Sequence, residues 1–482
     1  MKRALAPHSD TPPAAEPLDP RLIRIGLVLI LGAVLAQLDT TVVNIGVGPM
    51  AEGLDASLVA VQWVSTGYLL AVALVAPVAG WLIQRFGGKR VWLSSVALFV
   101  VASALGGLAW SAGSLIAFRL LQGIGGGLMQ PVGQAIVAQI AGPTRIGRLV
   151  GVITMPVSLA PVLGPVVGGL IVHQAGWRWL FYLNVPIGLA ALVLAARVVP
   201  DDSGARQTGR RPDVPGLILL PAGLAALVYG LGRTGDAGPH LTGYAVLAAG
   251  VALLAGYAVH ALRTPTTPLL DLRLFAGRGF ALAGVNTFLL GATLYSSMLL
   301  LPLYFVQVRG MDVLGAALML APQAIGTAAA TPFAGRATDR RGPRAVVLAG
   351  IALTLAGTVP FVLHDTRPGT AVLVAALFVR GVGYGLITPP NVAATYTSVQ
   401  RHQIPDATSA RTVLNRVGGS IGTALLAVVL HSSLAGGAST ADAHACAFTW
   451  ALVLGCLTLL PAALYPRHAP GARRPGPDRP RS

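Results

Sequence analysis

One sequence pattern, a glycine followed by a basic, glycine-containing turn, occurs twice in this chain. It is first Gly80-Trp81-Leu82-Ile83-Gln84-Arg85-Phe86-Gly87-Gly88-Lys89-Arg90 and later Gly335-Arg336-Ala337-Thr338-Asp339-Arg340-Arg341-Gly342-Pro343-Arg344. A second pair repeats at nearly the same spacing, as Arg119-Leu120-Leu121-Gln122-Gly123-Ile124-Gly125-Gly126 and Arg380-Gly381-Val382-Gly383-Tyr384-Gly385. Two motif pairs that share one spacing indicate a duplicated unit. The repeats therefore predict a chain of two related halves.

The apolar segments around these motifs are long enough to cross a membrane. Of the 482 residues, 54% are hydrophobic and 11% are charged, whereas soluble domains average about 25% charged residues. A span needs about 20 residues, and Gly and Pro are tolerated within it. Fourteen segments qualify, at 23–46, 58–83, 91–110, 114–140, 148–173, 180–199, 214–233, 241–263, 279–307, 313–334, 343–364, 370–394, 408–433 and 444–465.

The repeated motifs fall in the second and fourth segments of two six-segment units, and two segments are left over between the units. The predicted fold class is an all-α integral membrane protein with two six-helix bundles and two additional inserted helices. The expected boundaries are a cytoplasmic tail at 1–22, an N-terminal bundle at 23–199, a linker with two extra spans at 200–278, a C-terminal bundle at 279–465 and a basic tail at 466–482.

The basic residues predict the orientation. With both ends of the chain in the cytoplasm, the outer loops hold four of the 34 Lys and Arg residues, namely Arg178, Arg233, Arg309 and Arg367. Cytoplasmic loops of membrane proteins carry the excess of basic residues. We therefore expect a multi-pass protein of the plasma (inner) membrane with both termini cytoplasmic. This topology accounts for the net charge of +17 without a nucleic-acid partner.

Asp39 is the only carboxylate inside any of the fourteen segments, in Leu38-Asp39-Thr40-Thr41-Val42-Val43-Asn44. A charged side chain at the bilayer centre costs about 2.5–3.5 kcal/mol on insertion scales, and such residues mark paths for protons, ions or substrate. The alternative is a carboxylate that pairs with a neighbour and locks two helices together.

Arg119 is expected near Asp39. At 1.5 Å per residue, Asp39 lies about 22 Å beyond Arg24 at the inner face, and Arg119 lies about 8 Å from the outer face. In an apolar core about 30 Å thick, both side chains reach the same level, slightly outside the midplane.

Several motifs carry a family resemblance. The stretch that begins at Gly80, the stretch that begins at Arg119 and Gly164-Pro165-Val166-Val167-Gly168-Gly169 resemble three signatures of the major facilitator superfamily. The segment around Asp39, Trp63-Val64-Ser65-Thr66-Gly67-Tyr68 and Trp177-Arg178-Trp179-Leu180-Phe181-Tyr182-Leu183-Asn184-Val185-Pro186-Ile187-Gly188 resemble its fourteen-helix drug–proton antiporter branch. The resemblance runs over essentially the whole chain.

The resemblance implies a secondary active exporter of drugs or other lipophilic small molecules, driven by proton antiport through alternating access. The alternative is a dedicated exporter of one metabolite or biosynthetic natural product. An enzyme is not expected, because the sequence has no clustered metal ligands, no nucleophile elbow and no dinucleotide-binding loop. The expected partners are the substrate, protons and the lipid bilayer, with no cofactor and no metal, and the chain is expected to be a monomer.

The signature that begins at Gly80 departs from the family pattern at Gln84, where an acidic residue is usual. A neutral amide makes weaker hydrogen bonds, so a latch on that side is expected to be soft, whereas Asp339 can receive hydrogen bonds from the facing half. Arg380 has no acid at the position matching Asp39, where Tyr295, Ser296 and Ser297 stand, so a packing role is expected.

The candidate site residues form three groups. The proton-coupling residues are Asp39 and Arg119. Polar or aromatic residues at membrane depth are candidates for binding substrate, with helix–helix hydrogen bonding as the alternative: Asn44, Trp63, Tyr68, Gln130, Gln134, Asn286, Tyr295, Gln323 and Asn391. The gating and structural motifs supply Gly80, Gln84, Arg85, Gly87, Arg90, Gly123, Gly164, Pro165, Gly168, Gly169, Gly335, Asp339, Arg340, Gly342 and Arg380.

Overall fold

The computed structural model describes residues 19–141, 149, 155–201, 213–234, 241–264, 268–363 and 368–465, and within them every regular element is helical. Twelve helices of this part of the chain are long and apolar enough to cross a membrane. The tail at 466–482 and nearly all of the tail at 1–22 lie outside the described residues.

The long helices follow the apolar segments closely. The first half contains α1 (Pro20–Ile45), α2 (Leu58–Val75, a 3-10 turn at Ala76–Val78, then Ala79–Phe86), α3 (Gly88–Gly107), α4 (Ala112–Ala141), α5 (Met155–Ala175) and α6 (Asn184–Val198). Two helices follow, α7 (Val214–Thr234) and α8 (Leu241–Arg263). The second half contains α9 (Arg278–Gln307), α10 (321–341) and α11 (343–356) within the stretch Ala321–Ala356, α12 (Thr370–Thr397), α13 (Ile404–Ala435) and α14 (Thr440–Leu457).

Shorter helices lie at Val47–Gly53, Trp179–Tyr182, Val313–Met319, Val359–Val362 and Leu459–Ala463. The helices α5 and α10 are not among the twelve that qualify as spans.

Both copies of the repeated stretch make the same backbone turn. Gly87 has a φ of 89° between α2 and α3, and Gly342 has a φ of 78° between α10 and α11. A side chain disfavours this conformation, so glycine is the residue that allows two helices to meet without a longer loop. We call the end of the bundle that holds these two turns the motif end.

Glycines let the helices of each half approach closely. A Cβ atom on Gly123 would lie 2.6 Å from the Tyr68 carbonyl oxygen of α2, and one on Gly125 would lie 2.6 Å from the Ser95 carbonyl oxygen of α3. In the second half, Gly381 is in contact with the Gln323 carbonyl in the same manner. Because neighbouring backbone fills this space, the glycines of α4 serve helix packing and not substrate contact in this conformation.

The helices α7 and α8 form a hairpin at the seam between the halves. The helix α7 packs against α2 of the first half and α13 of the second, while α8 packs mainly on α7. Asp213, which precedes α7, accepts hydrogen bonds from the Gly216 amide (3.0 Å) and the Leu269 amide (2.8 Å) and pairs with His260 of α8 at 2.7 Å. The hairpin is thus anchored to the segment that leads into α9.

One boundary was predicted wrongly in a way that matters for the site. The segment predicted at 408–433 begins at Ile404, with Pro405 in the first turn. Proline fits the first turn of a helix because its missing N–H would have no partner there. The earlier start brings Asp406 into α13.

Candidate functional site

Asp39 lies inside the first bundle and is paired with Arg119. The Nη1 atom of Arg119 lies 2.5 Å from Oδ2 of Asp39, and both side chains are about as buried as side chains can be, at 1% and 0% exposed respectively. Asp39 comes from α1 and Arg119 from α4, so the contact joins two helices of the same bundle. The sequence predicted that Asp39 and Arg119 lie at the same depth, and the structure brings the two side chains into contact.

The second oxygen of Asp39 is held by amide side chains. Oδ1 accepts hydrogen bonds from Gln122 of α4 at 2.9 Å and from Asn184 of α6 at 2.8 Å. Both amides also donate to the hydroxyl of Ser103 of α3, and this hydroxyl donates to the Phe181 carbonyl at 2.8 Å. A single network thus ties the carboxylate to α1, α3, α4 and α6.

Arg119 has further partners that fix its guanidinium. Its Nε donates to the Val64 carbonyl of α2 at 3.1 Å, and its Nη1 donates to Gln122 Oε1 at 2.8 Å. The ring of Tyr68 lies 4.2 Å from the guanidinium carbon, which is cation–π distance. Buried charges are tolerated when they are paired and hydrogen-bonded in this way.

Asp39 is not exposed to solvent in this conformation. The sequence suggested a water-lined path, whereas the residue is 1% exposed. The geometry therefore corresponds here to the alternative interpretation, in which the carboxylate locks helices together. A proton on Oδ1 would displace Gln122 or Asn184, and a proton on Oδ2 would remove the charge that pairs with Arg119, so a change at Asp39 affects α4 and α6 as well as α1.

Contacts between the halves close the motif end. Gln84 of α2 donates to Asp406 of α13 at 2.9 Å, and the Gly80 amide donates to Ser409 of α13 at 2.9 Å. Gln134 of α4 accepts a hydrogen bond from Arg411 of α13. An acidic residue is expected at position 84 from the family pattern. The carboxylate of this contact is instead supplied by Asp406 of the facing half.

Gln84 is thus a buried donor to a carboxylate, and the softness of a latch at this position stays a prediction. Asp406 was missed since the predicted helix began after it. Arg85 and Arg90 are exposed beside this contact, and the side chains of Asp339 and Arg340 lie outside the described residues, as do those of Asn44 and Pro165. Gly335 is buried within α10.

The glycine motif of α5 packs against α1 next to Asp39. Gly164 is in contact with the Thr41 side chain, and a Cβ on Gly168 would lie 3.3 Å from the Val42 carbonyl oxygen. Gly169 has no neighbour within 4 Å of such an atom. The motif therefore packs directly on the helix that carries Asp39.

The substrate-binding candidates do not gather in one cavity. Tyr68 covers Arg119, and Gln134 bonds across the halves. Trp63, at the edge of α2, stacks on Tyr229 of α7 with ring centroids 6.2 Å apart. Gln130 and Gln134 line a cavity between α1 and α4 with Met129 and Gly133.

The remaining candidates lie in the second half. Asn286 donates to Asn391 at 3.0 Å, and Tyr465 donates to Asn391 at 2.5 Å, inside the bundle. Tyr295 packs against Gly419, and the carbonyl of Gln323 packs against Gly381. The contacts of Asn286 and Asn391 are helix–helix hydrogen bonds, as the alternative interpretation expected, and substrate binding by these residues stays a prediction.

Gln122, Ser103, Asn184, Asp406 and Arg411 were not singled out from the sequence, although Gln122 and Asn184 lie inside quoted motifs. Four of them share the signal of a polar side chain inside an apolar segment, and Gln122 also lies three residues from Arg119 on one helix face, whereas Asp406 precedes the predicted segment. Arg380 is fully buried, with its Nη2 in contact with Ser297.

A family model described as Major Facilitator Superfamily matches residues 29–423 and, in a second match, 283–481. A relative named multidrug resistance protein B homolog, from Mycobacterium tuberculosis, is 39% identical over 86% of this chain and 77% of its own length. The methylenomycin A resistance protein of Streptomyces coelicolor is 33% identical over 84% of this chain and 85% of its length. The tetracenomycin C resistance and export protein of Streptomyces glaucescens is 31% identical over 84% of this chain and 75% of its own length.

Solved structures show the same fold at low identity. The human organic anion transporter MFSD10 (TETRAN) superposes with a TM-score of 0.64 at 18% identity, covering 92% of this chain and 100% of that one. The proton:xylose symporter XylE superposes with a TM-score of 0.64 at 16% identity, covering 92% of this chain and 94% of that one. At these identities the likeness concerns the fold alone.

Proposed function

The chain belongs to the major facilitator superfamily, and from this premise we propose that it exports drugs or other lipophilic small molecules in exchange for protons. It is a membrane transporter with relatives named for multidrug and antibiotic resistance, and not an enzyme. Those names support export of toxic compounds. The resistance and export protein for tetracenomycin C favours the second candidate, a dedicated exporter of one natural product.

The proposed topology has fourteen spans, with α5 and α10 completing the twelve that qualify by length and apolarity. Two six-helix bundles, at 23–199 and 279–465, flank the α7–α8 hairpin in the linker at 200–278. The distribution of basic residues supports a plasma (inner) membrane location, cytoplasmic termini and a cytoplasmic motif end. We also propose that one chain, as a monomer, forms a complete pathway.

The observation that carries the proposal is that the buried carboxylate of Asp39 accepts hydrogen bonds from three side chains of two other helices, Arg119 and Gln122 of α4 and Asn184 of α6. A proton on Asp39 removes its charge and, on Oδ1, one hydrogen bond, so the contacts of Arg119, Gln122 and Asn184 with this carboxyl group change. The contact of α5 with α1 at Gly164 and Thr41 passes this rearrangement to the helix that carries the glycine motif. The network thereby couples protonation to helix packing.

The two halves rock about a site between them in the proposed cycle. Asp406, Ser409 and Arg411 close the motif end in the present conformation. A proton from the opposite side reaches Asp39, substrate leaves on that side, and the motif end opens for release of the proton and entry of the next substrate. One charge moved across 100 mV supplies about 2.3 kcal/mol, enough for a tens-fold gradient.

Proteoliposomes that contain the purified protein and a pH-sensitive dye test the proposal. Addition of a lipophilic cation is expected to drive proton movement with the natural sequence and not with Asp39→Asn. Asp312→Asn is the matched control, because Asp312 is an exposed helix cap and asparagine caps equally well. Coupled proton movement that persists in Asp39→Asn would remove Asp39 from the mechanism.

A panel of chemically unrelated compounds separates the two candidate functions. A multidrug exporter is expected to protect cells against several of them, and a dedicated exporter against one compound class. Protection against none, with no substrate-driven proton movement, would contradict both candidates.

A further inference from the structure

Arg380 is a buried cation that has no carboxylate partner within the part of the chain that the structure describes. Its side chain is 0% exposed, and its Nη2 contacts Ser297 and lies 3.5 Å from the Tyr384 hydroxyl. Its Nε and Nη1 have no hydrogen-bond partner, and no carboxylate of the described residues pairs with it. Burying an ion without a counter-ion costs several kcal/mol, so this arrangement requires compensation.

The first bundle shows what is missing. Arg119 occupies the matching place in the other copy of the motif, where it pairs with Asp39 of the first helix of its bundle and is covered by Tyr68. Arg380 contacts Ser297 of the first helix of the second bundle, and the ring of Tyr384 lies 5.7 Å from its guanidinium carbon. The cation is thus repeated and the carboxylate is replaced by a hydroxyl, while the nearby aromatic ring comes from α2 in the first bundle and from α12 itself in the second.

The surroundings of Arg380 are suited to a small anion. Two hydroxyl groups, of Ser297 and Tyr384, lie beside the guanidinium. A neighbouring cavity is lined by Tyr384 and by three threonines, and because the threonine hydroxyls donate to backbone carbonyls, Tyr384 is the lining hydroxyl with a proton to offer an anion. The Arg380 side chain is 0% exposed, and Gly357 of the neighbouring helix end packs against its backbone, so the closely packed surroundings favour a small inorganic anion over an organic acid.

We propose that Arg380 binds a small monovalent inorganic anion of the chloride class inside the second bundle. The unpartnered Nε and Nη1 atoms donate to the anion, and the Tyr384 hydroxyl, 3.5 Å from Nη2, is the neighbouring group that donates beside them. The anion takes the electrostatic place that Asp39 has in the first bundle. The site lies between α9, α11 and α12 and is independent of the proton-coupling proposal.

Thermal unfolding of the full-length protein in detergent tests this site. At constant ionic strength, we expect the melting temperature to rise saturably when gluconate is replaced by chloride or bromide. Ser297→Asp is expected to remove this dependence, because it places a carboxylate next to Arg380 as Asp39 is placed next to Arg119. Arg178→Gln removes an exposed cation and is expected to keep the full dependence on chloride.

Anomalous diffraction from a crystal of the natural sequence soaked in bromide locates a bound anion directly. This measurement does not require any variant to fold. An anomalous peak within hydrogen-bond distance of Arg380 Nε or Nη1 supports the site. The proposal is overturned if no peak is found there, if chloride has no saturable effect on the natural sequence, or if Ser297→Asp responds to chloride as strongly as the natural sequence does. Water alone at Arg380 would produce all three of these results.

Discussion

The amide side chains that donate hydrogen bonds to Asp39 are fixed in place by hydrogen bonds of their own. Asn184 and Gln122 donate both to Asp39 and to Ser103, and Ser103 donates to a backbone carbonyl, so neither amide can turn away without losing a second bond. Hydrogen bonds to charged groups contribute more than those between neutral groups. The network is therefore stiff in its present state, and a change at Asp39 is transmitted to α6 as well as α4.

Asn184→Ala is expected to lower the free energy of unfolding by about 1–3 kcal/mol, because it removes a donor from a buried charged acceptor. The measurement is denaturant-induced or thermal unfolding in detergent. Ser94→Ala is the control, since the Ser94 hydroxyl bonds only within its own helix at 3.0 Å, and a change under about 0.5 kcal/mol is expected. Equal effects of the two substitutions would show that Asn184 adds nothing to the network.

The pairing of Asp39 with Arg119 could be predicted because helix rise converts residue number into depth. The roles of Gln122 and Asn184 could not, since an amide at membrane depth bonds to neighbouring helices in many arrangements and sequence does not fix helix rotation. The assignment of both residues to proton coupling stays a prediction.

At the scale of helices, the turns at Gly87 and Gly342 decide how consecutive elements meet. Each turn reverses the chain with one residue in the left-handed region, and the helices on both sides continue without a loop. A residue with a Cβ pays a steric cost there of about 1–2 kcal/mol. The repeated motif thus fixes backbone geometry as well as supplying polar side chains.

Gly342→Ala is accordingly expected to destabilise the protein by about 1–2 kcal/mol in thermal or denaturant unfolding. Gly256→Ala is the matched control, because Gly256 lies within α8 and an added Cβ meets nothing within 4 Å. Alanine in a helix interior is favoured over glycine by about 0.5–1 kcal/mol, so this control is expected to be neutral or stabilising. Loss of stability in the control alone would contradict this account of the turn.

Helix positions were predictable from apolarity, as the segment predicted at 241–263 and the helix Leu241–Arg263 illustrate. Apolarity does not report helix ends, because a helix can extend into polar residues beyond the apolar core. The start of α13 at Ile404 is the instructive case, since the proline that follows was a better signal for the helix start than the first apolar run.

At the scale of the whole molecule, α13 is the element on which the motif end closes. It faces α2 and α4 of the first half and α7 of the inserted hairpin, while Val392, Tyr396 and Ile404 of the second half join the apolar core of the first. The twofold organisation could be predicted from the repeated motifs. The partner of each motif could not, because the repeat does not say which helices of the opposite half will face it.

Gly80→Val is expected to open the motif end. A Cβ at Gly80 would lie 3.0 Å from the Pro405 carbonyl oxygen and 3.1 Å from Asp406 Oδ1, so a branched side chain forces α2 and α13 apart. Two hydrogen bonds across the halves, each contributing about 0.5–1.5 kcal/mol, are then weakened. Since 1.4 kcal/mol corresponds to a tenfold change in an equilibrium, the open population is expected to rise about fivefold or more.

Distances between spin labels placed on the motif ends of α2 and α13 measure this population. Gly48→Val is the control, because an added Cβ at Gly48 meets nothing within 4 Å, and it is expected to leave the distance distribution unchanged. A distribution in Gly80→Val that matches the natural sequence would mean that α2 and α13 accommodate the side chain without separating. The contacts of Gly80 and Gln84 with α13 would then not control access at the motif end, and closure would depend on the apolar contacts of Tyr396 and Ile404 instead.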